Sequence, residues 1–195
     1  MAEPDLPDSS DAPPGLALLV VDVQTAFTKA IPNMDELVRR CRFAVKAAEL
    51  LGIPVLFSEQ VPDKLGSTIP EVKGNSEERV FAKTGFSAFA AEGLEKELKE
   101  LEIHHLLIAG LETPVCVYQT VLDALAKDFE VTLLSDAITA RRPEDAQWVM
   151  ESLARQEVTV LPSETIFYAI LNDAKHHSFR AFTKLVLEAA TPAQS

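Results

Sequence analysis

The chain has 195 residues, 47% hydrophobic and 25% charged, the composition of an ordinary globule with enough apolar material for a sizeable core. A formal net charge of −12 argues against a surface that neutralises phosphodiester backbones or anionic lipid, so no nucleic-acid or membrane partner is expected and a small neutral or cationic one is favoured. The two cysteines, Cys41 and Cys116, make no disulfide framework and fit no CxxC spacing, which predicts a reducing, cytoplasmic setting.

The opening MAEPDLPDSSDAPP lacks the basic and apolar regions of a secretory leader and the arginines of a transit peptide. It reads as a disordered acidic tail, residues 1–15, ahead of one domain over residues 16–190. No apolar run approaches the roughly 18 residues of a membrane span.

The first element is LALLVVD (16–22), a nearly continuous apolar run of the kind that forms a strand buried on both faces. A helix follows over 33–52, with Asn33 and Glu36 in capping-box positions and a stop at Gly52 before Pro54. Its apolar stripe, Leu37, Cys41, Ala44, Ala48 and Leu51, accounts for Cys41 as a core residue. A second strand, IPVLFSE (53–59), leads into a long connection to Arg79 that holds Pro62, Gly66, Pro70 and Gly74 and no clear element. Lys83 follows in the loop VFAKTGFSAF, either as a solvated lysine or, if close to Asp22 and Cys116, as a charge that stabilises both. Beyond it alternate a helix over 89–102, the strand HLLIAG (105–110), a helix over 115–127, the strand VTLLSD (131–136) and a helix over 143–156. The strand EVTVLP (157–162), a helix after the capping pair Ser163–Glu164 and a helix over 179–190 complete the chain. The adjacent pairs His104–His105 and His176–His177 lack the i, i+4 spacing that would aim two rings at one ion and read as surface or capping residues.

Strands alternating with helices of this length predict an α/β fold, a three-layer αβα sandwich with a mainly parallel sheet. Ligands of such sheets sit beyond the carboxyl ends of the strands, which singles out Asp22, Glu59, Gly110 and Asp136. Asp22 is either a general base or a turn former. For Cys116, Thr113 fits an N-cap and Pro114 the first helical position, so the thiol falls where the helix N-terminus favours thiolate and lowers the thiol pKa. A small buried core residue is the competing reading, and the segment alone leaves both open.

Taken together, Asp22 in LLVVDVQTAF, Lys83 in FAKTGFSAF and Cys116 in AGLETPVCVYQT resemble the three signature segments of the isochorismatase-like cysteine hydrolases, a family related to nicotinamidase and N-carbamoylsarcosine amidohydrolase. The similarity runs over roughly residues 16 to 188, and the GLET and CVYQT flanks look more like isochorismatase domain-containing proteins than like nicotinamidases. The resemblance implies Cys116 as nucleophile, Asp22 as proton acceptor and later donor, and Lys83 as the cation that orients the pair. It also implies a non-proline cis bond between Leu111 and Glu112, an oxyanion hole from the amides of Glu112 and Cys116, a substrate pocket that includes Gln24, Phe27, Phe86 and Thr113, and a homo-oligomer. Relatives acting on nicotinamide carry a metal-binding Asp-x-His after the second strand, where this chain has Ser58, Glu59 and Gln60, so no metal and no cofactor are expected. Pro114 stands where relatives often place a polar residue. The function so implied is hydrolysis of a small amide, carbamoyl or related carbonyl compound through a thioester at Cys116. The alternatives are an isochorismatase-type vinyl-ether hydrolysis, which needs no thiol, and a binding or scaffold protein on the same fold; the acidic charge disfavours nuclease activity.

Overall fold

The computed structural model describes residues 13–74 and 79–190. Six strands, β1 (Leu16–Val21), β2 (Val55–Gln60), β3 (Val80–Lys83), β4 (His105–Gly110), β5 (Glu130–Ile138) and β6 (Thr159–Leu161), form one sheet in the order β3-β2-β1-β4-β5-β6. Every neighbouring pair is parallel. The helices are α1 (Met34–Leu50), the single turns α2 (Pro62–Leu65) and α3 (Pro70–Lys73), α4 (Leu94–Glu100), α5 (Tyr118–Ala126), α6 (Pro143–Ala154), α7 (Ser163–Leu171) and α8 (Phe179–Ala190).

The predicted α/β architecture follows from how β1 is buried. All six of its residues are inside, and the period-two alternation of a strand divides them between two cores. Leu16, Leu18 and Val20 pack with Leu37, Cys41 and Phe43 of α1, Phe167 of α7 and Phe182 of α8. Ala17, Leu19 and Val21 pack on the other face with Leu94 and Leu98 of α4, Val121 of α5 and Leu153 of α6. A strand covered on both faces needs apolar residues at every position, which is why LALLVV shows no alternation. Cys41 is fully buried with its thiol 3.4 Å from the Ala137 carbonyl, as its place on the α1 stripe predicts.

The structure departs from the sequence reading at short elements. The connection expected to be irregular holds α2 and α3, each opened by a proline and closed by a positive-φ glycine, Gly66 and Gly74. Lys83 ends an edge strand rather than sitting in a loop. Asn33 has a left-handed backbone (φ 54°) and makes no side-chain cap, because capping requires an extended residue, and Glu36 pairs with Arg39 and Arg40 instead. Residues 13–15 are not tail: the Gly15 carbonyl accepts the N–H groups of His104 and His105 at 2.8 and 2.9 Å, whereas residues 1–12 of the expected tail lie outside the described residues.

In this strand order β1 and β4 lie side by side at the switch point, where the chain departs to opposite sides and leaves a crevice at the strands' carboxyl ends. The exit of β4 approaches β1 so closely that a Cβ on Gly110, whose φ is +116°, would stand 2.0 Å from the Val21 carbonyl oxygen. Only glycine allows that approach.

Candidate active site

Four strands end at the crevice and each contributes a polar group. After β1 the chain turns through Asp22, whose φ of 52° is uncommon for a residue with a side chain. The turn is fixed by the Asp22 N–H to the Ser58 carbonyl (3.1 Å) and the Gln24 N–H to the Asp22 carbonyl (2.8 Å). The buried carboxylate accepts the Ser58 hydroxyl at 2.8 Å on Oδ1 and the Lys83 ammonium at 2.7 Å on Oδ2.

Lys83 reaches that point because Gln60 and Lys83 are register partners at the ends of β2 and β3. Its residue is 3% exposed, and Nζ donates to Asp22 Oδ2 (2.7 Å), Gln60 Oε1 (2.7 Å) and the Phe86 carbonyl (2.8 Å), with the Gly85 carbonyl at 3.3 Å. An ammonium has three protons, so those three short contacts commit all of them. Gln60 is held from both ends: Nε2 donates to the Thr84 carbonyl at 2.8 Å, which leaves Oε1 facing Lys83 and, at 4.0 Å, the Cys116 sulfur.

Beyond β4 the chain enters a π-helical turn, Thr113–Val117, in which the N–H groups of Val117 and Tyr118 reach five residues back to the carbonyls of Glu112 and Thr113. Such wide turns recur at functional sites, and this one brings Cys116 close enough to Asp22 for each group to shift the other's proton affinity. Burial pushes the Asp22 carboxyl up from its ordinary value, against the pull of Lys83 and the hydrogen bonds from Ser58 and Cys116. Burial first, and the Asp22 carboxylate second, push the Cys116 thiol up to about 12, with Lys83 and the Glu112 backbone N–H drawing it the other way. The lowered pKa expected from the helix N-terminus is not found, because desolvation outweighs the helix end.

Other expectations are also corrected. Among the described residues no peptide bond is cis, so Leu111–Glu112 is trans. The Leu111 N–H to the Val21 carbonyl (2.7 Å) and the Thr113 N–H to the Thr139 carbonyl (3.0 Å) anchor this stretch on either side with the ordinary, lower-energy bond. Thr113 caps nothing: Glu112 occupies the cap, and the buried Thr113 hydroxyl joins its N–H on Thr139. Gln24 is buried, and its amide donates to the Gln60 and Gly66 carbonyls and accepts the Gln60 N–H, clamping the segment after β2. Phe27 packs on the α1-side core, whereas Cys116 belongs to the opposite core. Phe86 is at the site through its carbonyl, and the residue is 53% exposed.

Glu59 and Asp136 serve the scaffold: Glu59 Oε1 accepts the N–H and hydroxyl of Thr68, and Asp136 accepts the N–H and hydroxyl of Ser163 at the start of α7. Sequence reasoning missed Ser58 and Gln60 as members of the network. The available signal was two polar residues, two apart and so on one strand face, closing an apolar strand. It also missed the ion pair between Glu112 and Arg141 beside the nucleophile's turn. Among the described residues no group of three or more His, Cys, Asp or Glu side chains is placed to hold a metal. A cleft of about 580 Å³ between α1 and α8, lined by Arg39, Phe43, Leu185 and Ala189 among others, shares no residue with the Asp22 network.

Comparison with known proteins bears on the fold and the family. The zebrafish isochorismatase domain-containing protein 1 is 34% identical over 166 residues, which are 85% of this chain and 58% of the relative, so the chain spans little more than half of that protein's length. Isochorismatase domain-containing protein 2 of Xenopus laevis is 32% identical, over 89% of this chain and 84% of the relative. Among solved structures, the MAR1 ribonuclease of Caenorhabditis elegans superposes with a TM-score of 0.83 at 28% identity, over 94% of this chain and 98% of that one. Residues 16–165 match the isochorismatase domain, and the chain belongs to the isochorismatase family.

Proposed function

We propose that the chain is a cysteine hydrolase of a small amide, carbamoyl or related carbonyl compound, with Cys116 as nucleophile. The observation that carries this is the convergence of Asp22, Lys83 and Cys116, from three separate segments, in one buried network. A thiol with raised proton affinity needs a base in contact, and the Asp22 carboxylate, whose own affinity is raised by burial, is matched to take that proton and return it.

The Cys116 proton passes to Asp22 as the sulfur forms a bond to the substrate carbonyl carbon and the carbonyl pair moves onto oxygen. The Glu112 N–H, which draws the proton affinity of the sulfur down, and the Cys116 N–H are the proposed donors for that oxyanion. Lys83 is not a third donor, because its three protons are engaged; its charge steadies the carboxylate. On collapse the C–N bond breaks and Asp22 protonates the departing amine. Water then gives a proton to Asp22 and adds to the thioester carbon, the C–S bond breaks, and the sulfur recovers its proton. Cys116 is 8% exposed, which suits a small substrate.

The test is an intact-mass screen across small amides and ureas. An acyl adduct on wild-type protein that is lost in Cys116→Ala supports the reading, and turnover by Cys116→Ala at the wild-type rate sinks it. A second reading, RNA cleavage, draws on the likeness to the C. elegans MAR1 ribonuclease. The charge of −12 opposes it. RNA cleaved by wild-type protein and spared by Asp22→Ala and Cys116→Ala protein prepared in parallel would favour this second reading.

A further inference from the structure

We propose that Thr120 is a positioning residue whose hydroxyl fixes the turn carrying Cys116 relative to the segment that seats Lys83. The proposal rests on the reading of Cys116 as nucleophile. Thr120 lies in α5 four residues after Cys116 and is fully buried. Its Oγ1 donates to the Cys116 carbonyl at 2.6 Å and accepts the Ala88 N–H at 2.8 Å.

The first contact alone is common, since a threonine hydroxyl in a helix often bonds the carbonyl four residues back. The second is not explained that way, because Ala88 belongs to another element, the short 3-10 turn Ala88–Ala90. Packing alone calls for nothing more than valine, which has the same shape and the higher cost of a buried hydroxyl removed. The hydroxyl is thus placed as a cross-link with both of its hydrogen-bonding roles used.

What it links matters for the chemistry. Ala88 follows two residues after Phe86, whose carbonyl, with that of Gly85, holds Lys83 Nζ. A short run of fixed contacts therefore leads from the ammonium through the Phe86–Ala88 backbone to Thr120 and on to the nucleophile's own carbonyl. Lys83 is the side-chain cation that favours thiolate at Cys116. If the cross-link is cut, the 85–90 segment and the nucleophile's turn are free to separate, the charge recedes from the sulfur, and less thiolate forms at a given pH.

The experiment measures the rate of Cys116 alkylation by iodoacetamide from about pH 7 to pH 10, with Cys41→Ala in every protein so that one thiol reports. The rate for Thr120→Val should be lower than wild type across the range, by about ten-fold if the thiol pKa rises by one. Thr120→Ser keeps the hydroxyl and should follow the wild-type profile. A residue that served only stability would give the opposite sign, because loosening a buried site exposes the sulfur and speeds alkylation. A Thr120→Val rate equal to or above wild type overturns the proposal. If Thr120→Val does not fold, amide exchange on the wild-type protein decides: Ala88 should be protected like the buried turns of α5, and exchange of Ala88 at the rate of an open loop overturns the cross-link. A wild-type Cys116 that resists alkylation and acylation throughout would instead remove the nucleophile reading, an outcome distinct from either of these.

Discussion

Asp22 and Lys83 are a buried ion pair whose members tolerate loss of the other unequally. Asp22→Asn strands an ammonium in the interior and should cost about 3–5 kcal/mol. Lys83→Met should cost less at low pH, because the carboxyl left behind can neutralise itself by taking a proton. Burial already raises the proton affinity of Asp22, and loss of the cation removes the largest opposing influence. A carboxyl with a raised folded pKa contributes stability that is full below its unfolded value and lost as pH rises through the folded one. The destabilisation by Lys83→Met, read as urea midpoints against wild type, should therefore grow from pH 5 to pH 9; a loss independent of pH would mean that Asp22 stays charged. The two thiols differ in the same terms. Burial pushes Cys41 far up and leaves it no exposed surface, so it should stay unmodified in native protein. Cys116 should be alkylated at a rate that climbs through alkaline pH without a plateau near neutrality. A plateau between pH 7 and 8 would show a thiolate already formed at rest.

At the scale of elements, what was legible in the sequence depended on length and on whether the cause is local. The runs at 16–22 and 105–110 and the helix over 33–52 are long enough for a pattern to show, and β1, β4 and α1 lie within two residues of those limits. The four-residue α2, α3 and β3 are too short for a period to be told from chance, and the proline and glycine punctuation of α2 and α3 reads equally well as loop. Asp22, Lys83 and Cys116 were legible only as a set. Ser58 and Gln60 showed locally only as a polar pair on one strand face and Thr120 not at all, because a hydrogen bond between groups distant in sequence depends on register and packing, which no local window contains. The error over the thiol pKa has the same origin: a helix start is visible locally and burial is not. The packing of α8 on α1 gives a test at this scale. Phe182 is fully buried, with its ring centroid 5.8 Å from Phe43, 6.2 Å from Phe167 and 4.9 Å from Tyr168. Phe182→Ala should lower unfolding free energy by about 3–5 kcal/mol while alkylation of Cys116, which belongs to the other core, stays at the wild-type rate. Loss of both together would mean that the two cores are not independent supports.

For the whole molecule the governing quantity is the charge of −12, a field that repels anions at long range and that salt screens. The field cannot change the bonds inside the Asp22 network, which are short and buried, but it sets the concentration of charged reagents at the crevice. Iodoacetamide and iodoacetate form the same bond to sulfur and differ in charge, so their rates at Cys116, each divided by its rate with a free small thiol, isolate the field. Iodoacetate should be disfavoured at low ionic strength and recover between about 20 and 200 mM salt, as the Debye length falls from roughly 20 Å to below 10 Å. Iodoacetamide should be unaffected. Arg141 opposes this outcome: its side chain is 65% exposed and paired with Glu112 beside the nucleophile's turn. If its guanidinium outweighs the global field, iodoacetate will be favoured at low salt and Arg141→Gln will abolish the preference. Recovery of iodoacetate with salt, unchanged by Arg141→Gln, would mean that the molecule as a whole selects for neutral substrates, as a small amide or carbamoyl compound requires.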